Sequence, residues 1–207
     1  MEFNKVIQTI IIILIVIILS KIYISIFSKI FRLYIDDIKK RIKLKKNYVF
    51  FCYPHTSYYD GLFSISSSLI VSLFSNHHPL FPIAQHQGIP SFIKKYTFLV
   101  GKDKNQTKKL VDFINKKEGA SLYIAPEGTR KFRDKIKKGF YYIAKDTNLP
   151  IVCSTINFKT MKTYYSHPIY VNNKSIELVM EEIKAWYSQF YLDDHSIYPE
   201  YRAPLKI

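Results

Sequence analysis

The chain has 207 residues, which is enough for one α/β domain with a substantial core plus an additional segment, and too few for two domains of typical size. Its 31 lysines and arginines against 16 acidic residues give a formal net charge of +15, which favours an anionic partner such as lipid headgroups, a nucleotide cofactor or nucleic acid. The two cysteines, Cys52 and Cys153, both lie in apolar strand-like runs, which argues against a disulfide framework and against a zinc site.

The N-terminal segment predicts a membrane anchor. Between residues 6 and 19 only Gln8 and Thr9 interrupt an apolar run, and if the run continues to Phe27 it is long enough, at about 1.5 Å per residue, to cross a bilayer core. Lys21 falls inside the longer run, so either its side chain extends to the interface or the crossing ends there. A cleaved signal peptide is disfavoured because no small-x-small site follows the apolar run.

Beyond the apolar run, polar residues recur at helical spacing along one stripe, which is the pattern of a helix that lies in the membrane interface. Two arrangements are open: a spanning helix joined to an in-plane helix, or a hairpin-like anchor buried in one leaflet. The basic run 39–46 follows, and the positive-inside bias predicts that everything downstream is cytosolic. The anchor is therefore predicted over residues 1–46. The polar stripe consists of Lys21, Ser25, Ser28, Lys29, Arg32 and Asp36.

From residue 47 to residue 207, short apolar runs alternate with helical patterns, which predicts an α/β domain in which helices cover a sheet. The last helix, predicted over residues 175–190, carries an apolar stripe of the kind that packs against a core. The strand-like runs are YVFFCY, PLFPIA, TFLV, SLYIA and PIVCSTINF, and the helical patterns between them cover residues 57–75, 105–117 and 137–146.

A first candidate site is the segment PHTSYYD, residues 54–60, which follows the first predicted strand. A strand that ends just before His55 presents the imidazole at a sheet edge, and Thr56 or Ser57 can cap the helix that follows. Asp60 then lies in the first helical turn, where its carboxylate can reach one ring nitrogen and leave the other free to accept a proton, as a general base does. The alternative is that Asp60 is only a favourable residue at a helix N-terminus.

A second candidate site is APEGTR, residues 125–130, directly after the strand-like run SLYI. Arg130 offers a planar guanidinium that matches phosphate oxygens, and Gly128 lets the backbone approach them closely. Thr129 adds a hydroxyl donor, and Glu127 can orient Arg130 or a second hydroxyl. The alternative is a polar turn with solvated side chains. Two strand-to-helix junctions with complementary chemistry are a stronger signal than either alone.

The His55-x4-Asp60 block, followed by the PEGTR block in this order and spacing, resembles the glycerolipid acyltransferases of the 1-acylglycerol-3-phosphate acyltransferase type over about residues 48–158. The resemblance implies a mixed sheet flanked by helices. It implies that His55, with Asp60 as its partner, deprotonates an acceptor hydroxyl that attacks an acyl thioester of coenzyme A or acyl carrier protein. No metal and no bound cofactor are required. The residues that it assigns to the phosphate-bearing acceptor are Glu127, Gly128, Thr129 and Arg130.

Three positions depart from the pattern of that family. A third block, which usually ends in arginine, corresponds to residues 96–102 and has Lys102 at that position. A lysine supplies charge without the bidentate fork, so this departure affects the acceptor headgroup more than the reaction, and the alternative is a solvated lysine. Cys153 stands where the family often has a proline, and Pro54 stands where Asn or Ser is commoner. Neither change removes a catalytic group.

Together the anchor and the motifs predict a membrane-tethered acyltransferase of phospholipid biosynthesis that esterifies a lysophospholipid or glycerol-phosphate hydroxyl. The expected partners are membrane lipids, the acyl thioester donor and the lysophospholipid acceptor, and nucleic acid is disfavoured. Two alternatives remain open. One is a coenzyme-independent phospholipid transacylase, and the other is a catalytically silent, membrane-anchored protein that binds anionic lipid or nucleic acid.

Overall fold

The structure, a computed structural model, describes residues 2–42, 47–54, 58–74, 78–84, 91–101, 105–117, 119–128, 136–157 and 162–193. The helices are α1 (Glu2–Ile42), α2 (Tyr58–Phe74), α3 (Gln106–Asn115), α4 (Gly139–Thr147) and α5 (Ile176–Asp193), with a 3₁₀ helix over Ser91–Tyr96. The strands are β1 (Val49–Cys52), β2 (His78–Ala84), β3 (Thr97–Val100), β4 (Ala120–Ile124), β5 (Ile151–Asn157) and β6 (Lys162–Tyr165).

The strands form one mixed sheet in the order β3-β2-β4-β1-β5-β6. Strands β1 to β5 are parallel to one another, and β6 pairs antiparallel with β5 at one edge. The predicted α/β class and the mixed sheet are therefore confirmed. The sequence analysis missed β6 and the 3₁₀ helix, because the four-residue edge strand KTYY contains no apolar run that would mark it as a strand.

Helices α3, α4 and α5 cover one face of the sheet. Alternate strand residues point to this face, and Val49 and Phe51 of β1 and Leu122 of β4 are fully buried there. Phe140 and Ile143 of α4 pack into the same cluster. The apolar stripe predicted for the last helix is therefore a core-facing stripe. The buried residues of α5 are Val179, Met180, Ile183 and Tyr187.

The opposite face of the sheet is aromatic, and α2 and the C-terminal part of α1 cover it. Phe50 of β1 stacks on Tyr123 of β4 with ring centroids 4.5 Å apart, and Tyr123 stacks on Phe81 of β2 at 5.0 Å. Ile65 of α2 packs against this cluster. Each such ring pair contributes about 0.5–1.5 kcal/mol beyond the burial of its area, so the aromatic face favours one strand register.

Helix α1 is a single helix of 41 residues, so the segment that it covers contains no turn that would divide a hairpin. It is long and apolar enough to cross a membrane, and its described large apolar side chains from Ile11 to Phe31 are exposed. From Leu33 onwards α1 belongs to the folded domain, because Leu33, Asp37 and Arg41 are buried. This packing crosses the predicted boundary at residue 46, which itself lies outside the described residues.

A buried ion pair joins the end of α1 to the sheet. Arg41 Nε lies 2.9 Å from Asp37 Oδ2, and the two side chains are 5% and 0% exposed. The guanidinium donates hydrogen bonds to the hydroxyls of Ser68, Tyr123 and Tyr165, and the Tyr165 hydroxyl donates to Asp37. Burial raises the pKa of both phenols, so they stay protonated at neutral pH. Arg41, which belongs to the basic run 39–46, is therefore a buried and paired residue.

The predicted polar stripe is also divided between two environments. Asp36 Oδ2 accepts hydrogen bonds from the Thr163 backbone N–H at 3.0 Å and from Lys40 Nζ at 2.8 Å, so Asp36 binds the edge strand β6. Asp36 is therefore part of the packing between α1 and the sheet, whereas the stripe residues up to Arg32 are exposed.

Candidate functional site

The two candidate blocks follow neighbouring parallel strands. In the register of β1 and β4, Phe51 pairs with Ile124. Pro54, directly before His55, comes three residues after Phe51, and Glu127 comes three residues after Ile124. Pro54 and Glu127 therefore each come three residues after a pair of register partners, on neighbouring strands that are spaced about 4.8 Å apart.

The chain leaves β1 and β4 in opposite directions. From β1 it passes through α2, on the aromatic face, to β2 on one side of the β1–β4 pair. From β4 it passes through α4, on the opposite face, to β5 on the other side. The first connection crosses β4 and the second crosses β1, on opposite faces of the sheet. The carboxyl ends of neighbouring strands whose connections leave to opposite faces are where open α/β sheets bind ligands. We call this place the β1–β4 switch point.

Most side chains of the predicted site lie outside the described residues. This applies to His55, Thr129, Arg130 and Lys102. Asp60 is the third residue of α2, in the first turn as predicted, and its side chain is not among those described. The described part of the site consists of the backbone that leads into both blocks and of the first residues of the second block.

The second block begins with a tight turn. The Gly128 N–H donates to the Ala125 carbonyl at 3.0 Å, and Gly128 has φ of 65°, in the left-handed region that costs an L-residue about 1–2 kcal/mol. Glu127 is 1% exposed, so the alternative of a solvated glutamate is wrong. A carboxylate at this depth requires hydrogen-bonding or charged partners. The turn thus combines a backbone that only glycine adopts easily with an inward-facing acid.

Lys137 is a residue that the sequence analysis did not connect with the site. Its backbone N–H donates to the Pro126 carbonyl at 3.1 Å. Its ammonium nitrogen lies so close to Gly128 that a Cβ added there would be 2.5 Å away from it. In the sequence Lys137 is one of several lysines at a predicted helix start, and only the return of the chain to the turn brings its charge beside Gly128.

Tyr187 of α5 contacts two neighbouring strands, β1 and β5, close to the carboxyl end of β1. Its hydroxyl lies 2.8 Å from the Phe51 carbonyl and 3.0 Å from the Ser154 carbonyl, within hydrogen-bonding distance of both. The sequence pattern predicts only core packing for Tyr187, since a tyrosine in an apolar stripe does not reveal which atoms its hydroxyl contacts in the folded protein. Cys153, on the neighbouring strand β5, is buried, and burial raises the pKa of its thiol, as expected of a structural cysteine.

The apolar part of α1 leaves the domain at this same edge. Helix α2 begins at the carboxyl edge and runs back towards the start of β2. Tyr34 of α1 packs on Phe63 of α2, and further along both helices Arg41 binds Ser68, so α1 and α2 run in the same direction. Helix α1 therefore enters the domain from the carboxyl edge, and its exposed part, up to Phe31, projects beyond that edge.

Comparison of the chain with protein-family models, with curated proteins and with solved structures found no match. A functional hypothesis therefore starts from the two motifs, their positions in the sheet and the direction of α1.

Proposed function

We propose that this protein is a membrane-tethered O-acyltransferase with a glycerolipid acyltransferase fold. It esterifies a hydroxyl of a lysophospholipid or of glycerol phosphate, with an acyl thioester of coenzyme A or acyl carrier protein as donor. The observation that carries the proposal is that the segments with the His-x4-Asp and EGTR motifs follow two neighbouring parallel strands at a switch point of the sheet. Motifs that matched by chance would have no reason to follow neighbouring parallel strands at one edge of the sheet.

In the proposed reaction, the free ring nitrogen of His55 takes the proton of the acceptor hydroxyl while the oxygen attacks the thioester carbonyl. A C–O bond forms, the C–S bond breaks, and the proton passes from the imidazolium to the leaving thiolate. Asp60 orients the imidazole and stabilises its charged form. A base in this position contributes about 10²–10⁴-fold, and the alignment of the two substrates supplies much of the rest.

The acceptor phosphate is bound at the turn after β4. Gly128 lets the phosphate approach the backbone, and Arg130 and Thr129 donate to its oxygens. The burial of Glu127 supports a positioning role, in which its carboxylate orients Arg130. Lys137 supports the same assignment, since it adds a positive charge beside Gly128. Lys102 supplies a further charge from the segment after β3.

The membrane is the natural location for this chemistry, because the acyl chains of both substrates partition into the bilayer. Helix α1 is the proposed anchor, with the sheet domain in the cytosol, as the basic residues that follow the apolar run indicate. Since the exposed part of α1 projects from the carboxyl edge, an anchored domain turns its switch point towards the lipid surface. The net positive charge of the chain suits an anionic lipid surface and an anionic donor.

The proposal is tested by acyl transfer from radiolabelled acyl-CoA, and separately from acyl carrier protein, to a panel of lysophospholipids and glycerol phosphate. Detergent-solubilised wild-type protein is compared with His55→Ala, Asp60→Asn and the matched control His78→Ala. His78 is an exposed histidine at the start of β2, at the opposite edge of the sheet from the switch point. Thermal unfolding of every variant shows whether it is folded.

The expected result is a product with one class of acceptor, a loss of about 10²-fold or more in His55→Ala, and unchanged activity in His78→Ala. Folded wild-type protein that forms no product with any donor and acceptor contradicts the proposal. Acyl exchange between two phospholipids in the absence of a thioester identifies the transacylase instead. Binding of anionic lipid or nucleic acid that is unchanged in His55→Ala, without any transfer, identifies the silent binding protein.

A further inference from the structure

Three aromatic rings form a column along the exposed part of α1. The ring centroids of Tyr23 and Phe27 are 6.3 Å apart, those of Phe27 and Phe31 are also 6.3 Å apart, and both pairs are nearly parallel, at 14°. The three side chains are 70%, 58% and 57% exposed. We call Tyr23, Phe27 and Phe31 the aromatic column. Its apolar area is covered by nothing within the described part of the chain.

The aromatic column continues the face of α1 that contacts α2. At about 100° per residue, Tyr23, Phe27 and Tyr34 lie within about 40° of one another around the helix. Tyr34 packs on Phe63 of α2, with ring centroids 4.7 Å apart. Ser25, in the exposed polar stripe, lies about 160° from Phe27. Two sides of the same helix therefore differ, and the aromatic side is the one turned towards α2.

The aromatic column also lies at the level of the site. Because Tyr34 lies beside Phe63, the first residue of α2, Tyr58, is about 7.5 Å further towards the carboxyl edge, at 1.5 Å per residue. Measured in the same way from Tyr34, Phe31 lies about 4.5 Å and Tyr23 about 16.5 Å in that direction. The column thus begins beside the first turns of α2 and extends about 9 Å beyond the start of α2.

We propose that the aromatic column binds the acyl chain of the lipid substrate and guides it between the bilayer and the β1–β4 switch point. This inference rests on the proposed function and adds a binding surface to it. An acyl chain fits the position of the column, because the column lies on a helix that is long and apolar enough to cross a membrane. Its inner end is next to the Tyr34–Phe63 contact, beside the site. An acyl chain also fits the chemistry of the column, because the column consists of stacked aromatic rings without a charged group. The lysines of the polar stripe lie on another side of the helix.

The contact is tested by photo-crosslinking in nanodiscs that contain a small fraction of radiolabelled 1-palmitoyl lysophosphatidic acid. The full chain carries p-benzoylphenylalanine in place of Phe27, and the matched control carries it in place of Ser25, at nearly the same depth on the opposite side of the helix. Both variants are made in the His55→Ala background, so that the readout does not depend on catalysis. The expected result is at least five-fold more label on the Phe27 variant than on the Ser25 variant.

Two outcomes of the crosslinking overturn the inference. Equal labelling of the two variants means that the column faces bulk bilayer lipid only. Crosslinks from the Phe27 position to a second copy of the chain, seen as a covalent dimer, mean that the column is an interface between copies. Selective labelling without any acyl transfer by the wild-type protein would retain the lipid site and remove the proposed function, so the two failures are distinguishable.

A kinetic measurement separates acyl-chain binding from a structural role of the rings. Tyr23→Ala/Phe27→Ala is expected to lower kcat/KM about ten-fold for palmitoyl lysophosphatidic acid and to leave kcat/KM for a hexanoyl analogue within two-fold of wild type. Ile22→Ala, on a flank of α1 turned about 140° from Phe27, is expected to change neither value. Equal losses for both chain lengths, or no loss for either, contradict the inference.

Discussion

Gly128 and Glu127 show how two adjacent residues contribute to the candidate site in different ways. Gly128 supplies a backbone conformation, with φ of 65°, that allows the chain to reverse directly after β4. Glu127 supplies a buried carboxyl group. Burial of a carboxylate costs free energy unless hydrogen-bonding or charged partners compensate for it, and such partners hold the group in one position. The residue types were visible in the sequence, but the burial of the acid depends on the turn that the glycine permits.

Gly128→Ala is expected to destabilise the folded protein by about 1–2 kcal/mol, because an alanine is strained at this φ. The measurement is urea unfolding of the detergent-solubilised protein, followed by circular dichroism. The matched control is Gly139→Ala, where an added Cβ meets only Thr107 Oγ1, at an ordinary 3.7 Å, and where little change is expected. A Gly128→Ala protein as stable as wild type would contradict the strained turn.

Tyr187→Phe tests whether one hydroxyl holds the carboxyl edge together. Removal of the oxygen leaves the aromatic packing intact and loses the contacts with the Phe51 and Ser154 carbonyls, so a loss of about 0.5–1.5 kcal/mol is expected. Tyr142→Phe, at a tyrosine that is 50% exposed, is the control and should have no effect on unfolding. If both variants unfold with the same midpoint as wild type, the hydroxyl of Tyr187 does not stabilise this edge.

At the scale of the elements, α1 serves two environments along one continuous helix. Its described large apolar side chains from Ile11 to Phe31 are exposed on a helix that is long and apolar enough to cross a membrane, and its last turns pack against the domain. The change occurs where Leu33 becomes buried, and four residues later Asp37 begins the ion pair with Arg41. In the proposed anchored protein, this unbroken helix and its packing against the domain set the distance between the bilayer and the sheet.

The Asp37–Arg41 pair is expected to be strongly coupled in a double-mutant cycle. Either Asp37→Leu or Arg41→Met alone leaves a buried charge without its opposite and should cost about 3–5 kcal/mol. The double variant should cost much less than the sum, because two apolar side chains of similar volume replace the pair. Urea unfolding of the four proteins measures the coupling. The matched surface cycle uses Lys174 and Glu182, an exposed pair at 2.5 Å, for which about 0–1 kcal/mol is expected.

At the scale of the whole molecule, α1 and the sheet are joined by packing as well as by the chain, because Leu33, Asp37 and Arg41 of α1 are buried. The aromatic face of the sheet is covered by α1 as well as by α2, so a separation at residue 46 would expose Phe50 and Tyr123 and remove the guanidinium that binds the Tyr123 hydroxyl. The direction in which the exposed part of α1 leaves the domain also belongs to this scale. It follows from the parallel course of α1 and α2 and from the strand order together.

Two truncations of the chain test this sharing. A protein that begins at Arg32 keeps the buried residues of α1 and is expected to be released from membranes and to unfold cooperatively. A protein that begins at Asn47 loses Leu33, Asp37 and Arg41, exposes the aromatic face and is expected to aggregate or to lose most of its unfolding free energy. Membrane fractionation, size-exclusion chromatography and urea unfolding compare them with the full chain. Equal stability of the two truncations would show that α1 contributes nothing to the domain.

The sequence by itself determined the local elements and the chemistry that they carry. Apolar periodicity marks β1, β4, β5 and the helices, and the long apolar run marks α1, because each pattern depends only on neighbouring residues. The edge strand β6 escaped detection since its half-buried pattern over four residues is weak. The types of residue in both candidate blocks, and their order, were also visible without coordinates.

Only the tertiary structure decided which of these elements meet. No local pattern in β1 specifies β4 as its neighbour, because the register of parallel strands depends on crossovers and on the packing of both sheet faces. Three features follow from that arrangement: Arg41 is buried, Lys137 lies close to Gly128, and α1 leaves the domain at the carboxyl edge. A basic or polar residue has the same identity in a linker, in a buried ion pair and beside a ligand site, so its role is set by what folding brings next to it.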